Sequence, residues 1–175
     1  MNVELVVTGA LDENCYILKK DNTCLVVDPG SDFPKIKEKI GDSKVLGILI
    51  THSHFDHVGA LRNFLTKRNI KIFKKSNVID NTEYELGNFK FKALLTPGHA
   101  QDEVTFYFEE ENKMFVGDFI FKETIGRCDL PGGSETEMKN SIEKIKKYNR
   151  DIVLYPGHGE LTTLGYELDN NPNLK

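Results

Sequence analysis

Short apolar runs separated by turn residues recur along most of the chain. Residues 3–7, 14–19 and 23–28 are three such runs in succession, and they predict a β-meander. Residues 45–50 are almost wholly apolar, as is typical of a strand buried on both faces. The same reading predicts further strands at 70–74, 89–96, 103–109, 113–117 and 151–155.

Helix signals lie between these strands. Phe33 and Pro34 follow Asp32, and a proline near the first helical position predicts a helix that runs to about Ile40. A second helix is predicted from 58 to about 69. Ser134-Glu135-Thr136-Glu137 is a capping box and predicts a third helix, ending near Tyr148. The mixture of strands and helices indicates a layered α/β fold.

Length and composition predict an ordinary globular protein. The 175 residues fit a single domain, 1–175, and 39% hydrophobic with 29% charged residues is usual for a soluble chain. No apolar run reaches the roughly 18 residues that a membrane span needs, and the first residues lack the features of a signal peptide. We therefore expect a cytoplasmic protein with no membrane partner. The three cysteines do not form a Cys-x-x-Cys pattern and are expected to be reduced.

The net charge of -4 gives no support for a nucleic-acid partner. One local basic run contains Lys67, Arg68, Lys71, Lys74 and Lys75. This run is typical of a solvated helix end and edge strand, and the alternative is a patch that binds an anionic substrate or nucleic acid. The sequence does not indicate an oligomeric state.

Metal-binding side chains are concentrated in Thr51-His52-Ser53-His54-Phe55-Asp56-His57, which holds three of the chain's five histidines. Imidazole nitrogen and carboxylate oxygen are ligands that first-row divalent metals accept. His99, Asp118 and His158 each follow another predicted strand. Loops at strand ends can gather at one edge of a layered fold, so we expect these residues to form one site.

The number of donors indicates two metal ions. Five imidazoles with Asp56 and Asp118 make seven donors, which is too many for one catalytic ion. Two ions about 3.5 Å apart can hold a hydroxide between them, since binding lowers the pKa of water towards ~7. A purely structural site is disfavoured because such sites prefer cysteine and use four ligands. Zinc is the expected metal, with iron or manganese as alternatives.

A family resemblance follows from these motifs and their order. It rests on His52-x-His54-x-Asp56-His57, Thr96-Pro97-Gly98-His99, Gly117-Asp118 and Pro156-Gly157-His158-Gly159. In this order they resemble the metallo-β-lactamase superfamily over nearly the whole chain. Asn14-Cys15-Tyr16 and Val26-Val27-Asp28-Pro29-Gly30 fit its early strands, and the segment from Gly126 to Gly133 resembles the short bacterial glyoxalase II-type hydrolases.

The resemblance implies a four-layer αβ/βα sandwich, in which two mixed β-sheets are flanked by helices. It also implies that His52, His54 and His99 hold the first metal. Asp56, His57 and His158 would hold the second, and Asp118 would bridge the two. Asp56 and Asp118 are thereby the implied catalytic carboxylates.

Two further residues have alternative interpretations. Asp28 either steadies the ligand loops behind the metals or is only the carboxylate of an Asp-Pro-Gly turn. Arg127 either binds a substrate carboxylate or forms a surface ion pair. The chain also departs from the family twice. Ala100-Gln101-Asp102 stands where relatives often carry Thr-x-Gly, and no C-terminal helical glutathione-binding domain is expected.

The expected reaction is hydrolysis of a thioester, either S-lactoylglutathione or a related acyl thioester, by a metal-bridging hydroxide. Once the ligands are assigned, no histidine remains as a general acid. A thiolate leaves without one because a thiol has a pKa of about 8.5. The main alternative is a mononuclear iron persulfide dioxygenase of the same superfamily. A nuclease and a metal-binding protein without catalysis are the others.

Overall fold

The structure of the protein is a computed structural model, which describes residues 1–65 and 69–175. The strands are β1 (Asn2–Thr8), β2 (Glu13–Lys20), β3 (Thr23–Val27), β4 (Lys44–Leu49), β5 (Lys71–Phe73), β6 (Thr82–Leu86), β7 (Phe89–Leu95), β8 (Val104–Phe108), β9 (Lys113–Gly117), β10 (Ile120–Phe121), β11 (Thr124–Ile125), β12 (Val153–Pro156) and β13 (Thr162–Thr163). The α-helices are α1 (Phe33–Ile40), α2 (Phe55–Val58), α3 (Leu61–Leu65), α4 (Glu135–Ile145) and α5 (Leu164–Asn170).

The strands form two mixed sheets and a small hairpin. The first sheet has the order β1-β2-β3-β4-β5, with the β1–β2 and β2–β3 pairs antiparallel and the rest parallel. The second has the order β13-β12-β9-β8-β7-β6, in which β9 and β12 are parallel and the other pairs antiparallel. β10 and β11 form the hairpin.

Three apolar layers hold the sheets and helices together. Along β2, Tyr16 and Leu18 face the second sheet, whereas Cys15 and Ile17 face the helices on the other side. This alternation follows from the period of two in a strand, with both faces buried. A third cluster packs the second sheet against α4 and α5. The result is the four-layer αβ/βα sandwich that the resemblance implied.

Several predicted elements are confirmed. β1, β2 and β3 are the predicted meander, and α1 follows the proline signal to Ile40. β4 is buried on both faces at its end, since Leu49 packs between the sheets and Ile48 packs under the helices. One hydrogen bond of the predicted capping box forms: the Ser134 side chain accepts from the Glu137 amide at 3.3 Å. The Ser134 amide donates to the carbonyl oxygen of Gly98 instead, and α4 ends at Ile145, short of Tyr148.

The helix predicted from 58 to 69 was wrong in its start and its continuity. Helical structure begins at Phe55, so Asp56 and His57 lie on a helical turn. α2 and α3 are separate because the Ala60 amide donates to the carbonyl oxygens of Pro29 and Gly30 instead of continuing the helix. Thr66, Lys67 and Arg68, which include part of the predicted basic run, lie outside the described residues.

The sequence patterns missed β6, the β10–β11 hairpin, β13 and α5. β6 is a polar strand at the edge of its sheet, so it carries a weak apolar signal. α5 begins at Thr163, whose side chain accepts from the Tyr166 amide at 3.2 Å. In the part of the chain that the structure describes, no helix is long and apolar enough to cross a membrane.

Candidate metal centre

The seven predicted donor residues meet at one edge of the sandwich. Their loops follow β4, β7, β9 and β12, and β9 and β12 are parallel neighbours whose ends coincide. Hydrogen bonds between the two sheets fix this edge. The Val104 amide donates to the Thr51 carbonyl oxygen at 2.8 Å, and the Asn14 amide donates to that of Gly157 at 2.7 Å. The side chains of Asn14 and Tyr16 also donate to the Pro156 carbonyl oxygen.

Three histidines converge in a first group. His52 Nε2 and His99 Nε2 each lie 3.0 Å from His54 Nδ1. His52 and His99 are buried, and His54 is half-buried. Ring nitrogens arranged in this way cannot all form hydrogen bonds with one another, because a single proton makes a hydrogen bond in only one of the two pairs. A single cation at their centre would satisfy all three.

A second group lies beside the first. His158 Nε2 is 3.3 Å from Asp56 Oδ2, and His57 Nε2 is 3.7 Å from the same oxygen. His57 is buried, whereas the His158 side chain is 25% exposed, so this group opens to solvent at His158.

Asp118 lies between the two groups. Its Oδ1 is 3.4 Å from His57 Nε2, and its Oδ2 is 3.5 Å from His99 Nε2 and 3.7 Å from His158 Nε2. One carboxylate therefore faces nitrogen atoms of both groups, which is the placement that a bridging ligand requires.

Hydrogen bonds to the outer nitrogen determine the tautomer of four histidines. His99 Nδ1 lies 2.8 Å from the Arg127 carbonyl oxygen, and His158 Nδ1 lies 3.0 Å from that of Leu11. His57 Nδ1 lies 3.0 Å from Asp28 Oδ2. Each of these oxygen atoms accepts a hydrogen bond from the protonated Nδ1. The Nε2 lone pair therefore faces inward, as a metal ligand requires.

Asp28 and Thr51 complete this arrangement for His52. Thr51 donates to Asp28 through its amide at 2.7 Å and its hydroxyl at 2.6 Å. The hydroxyl oxygen, 3.1 Å from His52 Nδ1, then accepts the proton of that nitrogen. Asp28 thus contacts one metal-binding histidine directly and another through Thr51, while it also lies in the Asp-Pro-Gly turn.

The electrostatics of the centre favour a positive charge. Burial and the neighbouring His57 lower the pKa of His52 to about 2. Burial also lowers the pKa of His57, but interactions with Asp118 and Asp28 outweigh it and raise this pKa to about 11. Burial opposes ionisation of Asp118, and interactions with His57 still lower its pKa to about 2. Carboxylates around His57 therefore favour a positive charge, which a bound metal ion would supply in place of the proton.

Two orphaned atoms support the same conclusion. His57 Nε2 and Asp118 Oδ1 are buried and have no hydrogen-bond partner among the described residues. A buried polar atom without a partner is costly, so an ion bound by both atoms would remove the cost. The residues present therefore fit two divalent metal ions.

Gly157 permits the close approach of the ligands. A Cβ atom there would lie 2.4 Å from Asp118 Oδ1 and 2.6 Å from His57 Cε1. Any larger residue would displace two ligand side chains, which explains the glycine before His158.

Glu13 and Glu103 belong to the centre and were missed by sequence reasoning. Both are buried, and one carboxylate oxygen of each lacks a partner among the described residues. Glu103 Oε1 accepts from the Asp118 amide at 3.1 Å and lies 3.6 Å from His52 Nδ1. Burial, reinforced by the charge of Asp28, raises the pKa of Glu13 to about 9. Neither residue lies in a motif with the ligands, so nothing in the sequence pattern marks them.

Arg127 lies beside the centre, with its charge already paired. Its guanidinium makes two hydrogen bonds of 2.7 Å to the Asp129 carboxylate, and its side chain is 63% exposed. This is the ion pair that the sequence left as one alternative, and binding of a substrate carboxylate by Arg127 stays a prediction.

Comparison with known proteins places this arrangement in a family. The protein-family model described as the metallo-beta-lactamase superfamily matches residues 8–89 and 74–158 of this chain. A curated relative, the hydroxyacylglutathione hydrolase GloC of Haemophilus influenzae, is 29% identical over 99% of this chain and 98% of its own length.

Solved structures give the same picture. One described as a B3 metallo-beta-lactamase has a TM-score of 0.87 and 29% identity, over 99% of this chain and all of that one. Another, solved in a di-iron-bound form, has a TM-score of 0.86 and 28% identity, over 97% of this chain and 99% of that chain.

Proposed function

This chain belongs to the metallo-β-lactamase superfamily, and we propose that it is a dinuclear metal-dependent hydrolase of thioesters. The substrate class is S-lactoylglutathione or a related acyl thioester. The observation that carries the proposal is the pair of donor groups on either side of one carboxylate, Asp118. The relative named hydroxyacylglutathione hydrolase supports the substrate class, because it matches along almost its whole length.

The distances between the donor atoms support a ligand assignment. His52, His54 and His99 would hold one ion, Asp56, His57 and His158 would hold the other, and Asp118 would be shared by both. We propose zinc for the two ions, with iron as the alternative because one similar structure is a di-iron form. When bound, the two ions supply a hydroxide near neutral pH and polarise the acyl carbonyl group.

The side chains of the centre favour a leaving group that needs no proton. All five histidines of the chain are assigned as ligands. Burial raises the pKa of Glu13 to about 9 and raises the pKa of Glu103 above its ordinary value, but both side chains lie behind the candidate ligands, 1% and 0% exposed, so neither contacts a substrate. A thiolate leaves unprotonated at neutral pH far more readily than an alkoxide or an amide anion, since its conjugate acid has a pKa near ~8.5.

The test combines metal content with turnover. We expect about two ions per chain in the purified protein and hydrolysis of S-lactoylglutathione. Asp118→Ala should hold about one ion fewer and lose at least about 100-fold in kcat/KM, since it removes a ligand to both ions. Asp151→Ala is the matched control, because Asp151 is an exposed carboxylate before β12, at the end of that strand away from the centre.

Other outcomes identify other functions. Oxygen uptake with glutathione persulfide, with one iron per chain, would establish the persulfide dioxygenase instead. Hydrolysis of nitrocefin without thioester turnover would indicate a β-lactamase, as the name of one similar structure suggests. Full activity in Asp118→Ala would contradict the dinuclear centre.

A further inference from the structure

Two cavities adjoin the metal centre, one at each group of ligands. The first, of about 440 Å³, is lined by His158, and the second, of about 460 Å³, is lined by His54. Both volumes lie in the range that binds small molecules. We call them the His158 cavity and the His54 cavity.

The charged side chains of the His158 cavity are already paired. Lys122 Nζ lies 2.5 Å from Glu160 Oε2, and the carboxylate of Glu123 accepts a hydrogen bond from the Tyr166 hydroxyl. A charged ligand would have to break these contacts before it could form its own.

The His54 cavity differs because its two charged side chains have no partner. Lys75 and Asp102 both line it, and within residues 1–65 and 69–175 neither side chain forms an ion pair or a hydrogen bond. Asp102 is half-buried, whereas Lys75 is exposed. Among the described residues, the cavity therefore presents one unpaired cation and one unpaired anion beside His54, a proposed metal ligand.

The backbone around both residues is well anchored. The Asn77 side chain accepts from the Lys74 amide at 2.9 Å and donates to the Ile72 carbonyl oxygen at 2.8 Å, which fixes the turn that carries Lys75. Asp102 precedes the fully buried Glu103, whose carbonyl oxygen accepts from the Thr96 amide at 3.0 Å. Asp102 therefore lies on the loop that carries His99, and Lys75 lies on a fixed turn after β5, the strand next to β4.

The segment that departs from the family pattern lines this cavity. Ala100, Gln101 and Asp102, which replace the common Thr-x-Gly, are all part of its wall. Lys75 belongs to the local basic run, for which an anionic-substrate patch was one interpretation. Two otherwise unexplained sequence features therefore meet in one place.

We propose that the His54 cavity binds the α-amino-acid end of the thiol part of the substrate, with Lys75 on the carboxylate and Asp102 on the ammonium group. The proposal rests on the proposed thioester hydrolysis and specifies the part of the substrate away from the reacting carbonyl. An α-amino acid carries both charges in one small group, so it satisfies both free side chains at once. A substrate with a single charge would satisfy only one.

The test measures binding without turnover. Zinc-loaded protein is titrated calorimetrically with S-methylglutathione, which has an α-amino-acid end and no thioester, with its N-acetyl derivative, and with its analogue amidated at the α-carboxylate. We expect Lys75→Gln and Asp102→Asn each to weaken binding of S-methylglutathione about threefold to tenfold, as for partly exposed charge pairs. Lys74→Gln is the control, because Lys74 is the adjacent exposed lysine and does not line the cavity.

The derivatives assign each contact. Asp102→Asn should have no further effect on the N-acetyl ligand, and Lys75→Gln none on the α-amide, because each ligand already lacks the charge concerned. Equal effects of either variant on all three ligands, no effect on any, or an equal loss in Lys74→Gln would overturn the proposal.

A kinetic arm separates this proposal from the proposed function. With S-lactoylglutathione, Lys75→Gln should raise KM about threefold to tenfold and leave kcat within about twofold, because the contact is remote from the carbonyl. If the expected binding pattern occurs without thioester turnover by the wild type, the binding site stands and the thioesterase fails. If the wild type turns over the thioester without that binding pattern, the thioesterase stands and the binding site fails.

Discussion

At the scale of single residues, the orientation of the candidate ligands depends on the groups that form hydrogen bonds with their outer atoms. Each of four histidines has an acceptor for its Nδ1 proton, and in three cases that acceptor is a backbone carbonyl or Asp28. The buried carboxyl groups have a different effect. Glu13 and Glu103 add potential negative charge next to His57 and His52, which favours bound cations and disfavours the metal-free protein at high pH.

The first prediction concerns the metal-free protein. The folded-state pKa of Glu13 is about 9, above the ordinary value of 4.5, so folding favours its protonated form. Its contribution to stability is complete below pH 4.5 and is lost as the pH rises towards 9. His57 behaves in the same way, because its pKa is raised from 6.5 to about 11. Its contribution to stability is complete below pH 6.5 and is lost as the pH rises towards 11. Chelator-treated protein should therefore unfold more easily at pH 8.5 than at pH 6.5.

Glu13→Gln tests this assignment, because it keeps the shape and cannot ionise. Between pH 6.5 and 8.5 the Tm of the metal-free variant should fall by less than that of the wild type. A difference of about 1 kcal/mol corresponds to roughly 2–4 °C for a domain of this size. Glu38→Gln, at an exposed position on α1, should behave as the wild type. Parallel curves for the wild type and Glu13→Gln would show that Glu13 is not the titrating group.

At the scale of secondary-structure elements, α4 supports the loop that carries His99. The Ser141 hydroxyl donates to the Pro97 carbonyl oxygen at 2.7 Å. Gly98 lies directly against the helix, since a Cβ atom on it would lie 2.6 Å from the Cα and 2.7 Å from the Cβ of Met138. The helix backbone therefore determines how far the loop stands from the sheet, and with it the position of His99.

The second prediction is that Gly98→Ala displaces the His99 loop. Because the obstructing atoms belong to the helix backbone, the strain cannot be relieved by a side-chain rotation. We expect a loss of about 1–3 kcal/mol in stability, as for other overpacked sites. Metal content and thioesterase activity should fall in the same variant, measured by elemental analysis and turnover.

Ser141→Ala separates displacement from lost stability. It removes the hydrogen bond to Pro97 and costs about 1 kcal/mol, but it adds no atom to the contact. This variant should keep its full complement of metal. Equal metal loss in both variants would mean that stability alone, and not the position of the loop, controls metal binding.

Elements with a strong local signal could be predicted from the sequence. The apolar run of β4, the proline at the start of α1 and the capping serine of α4 mark those elements independently of the rest of the chain. β6 alternates in burial but is mostly polar, so its pairing with β7 determines it. The break between α2 and α3 results from a hydrogen bond to Gly30, which no local pattern of residues 55–65 reveals.

At the scale of the whole molecule, the sequence predicted that the seven donor residues lie together, but it did not predict the residues that support them. The histidines and aspartates stand at strand ends and in motifs, so their types and order indicate one centre. Glu13, Glu103 and Asn14 contribute through contacts between residues far apart in sequence. Such contacts depend on how the two sheets face each other, which the sequence pattern does not contain.

The metal centre also joins the two sheets. Four of the candidate ligands follow β4 of the first sheet, and three follow strands of the second. Within the described residues, the centre lies at the same edge as the hydrogen bonds from Val104 to Thr51 and from Asn14 to Gly157. Ions bound by these residues would therefore contact both sheets, and their removal should affect both.

The third prediction is that chelation loosens both sheets at this edge. Ligands that bind only the folded state stabilise it by about 2.7 kcal/mol at a hundredfold excess over Kd, so removal should lower the Tm by roughly 5–10 °C. Hydrogen exchange should accelerate after chelation at the amides of residues 50–57 and of 156–158. Asp118→Ala should show a smaller difference between loaded and chelated protein, because it lacks the shared ligand. Faster exchange confined to residues 50–57 would mean that the ions are held by the first sheet alone.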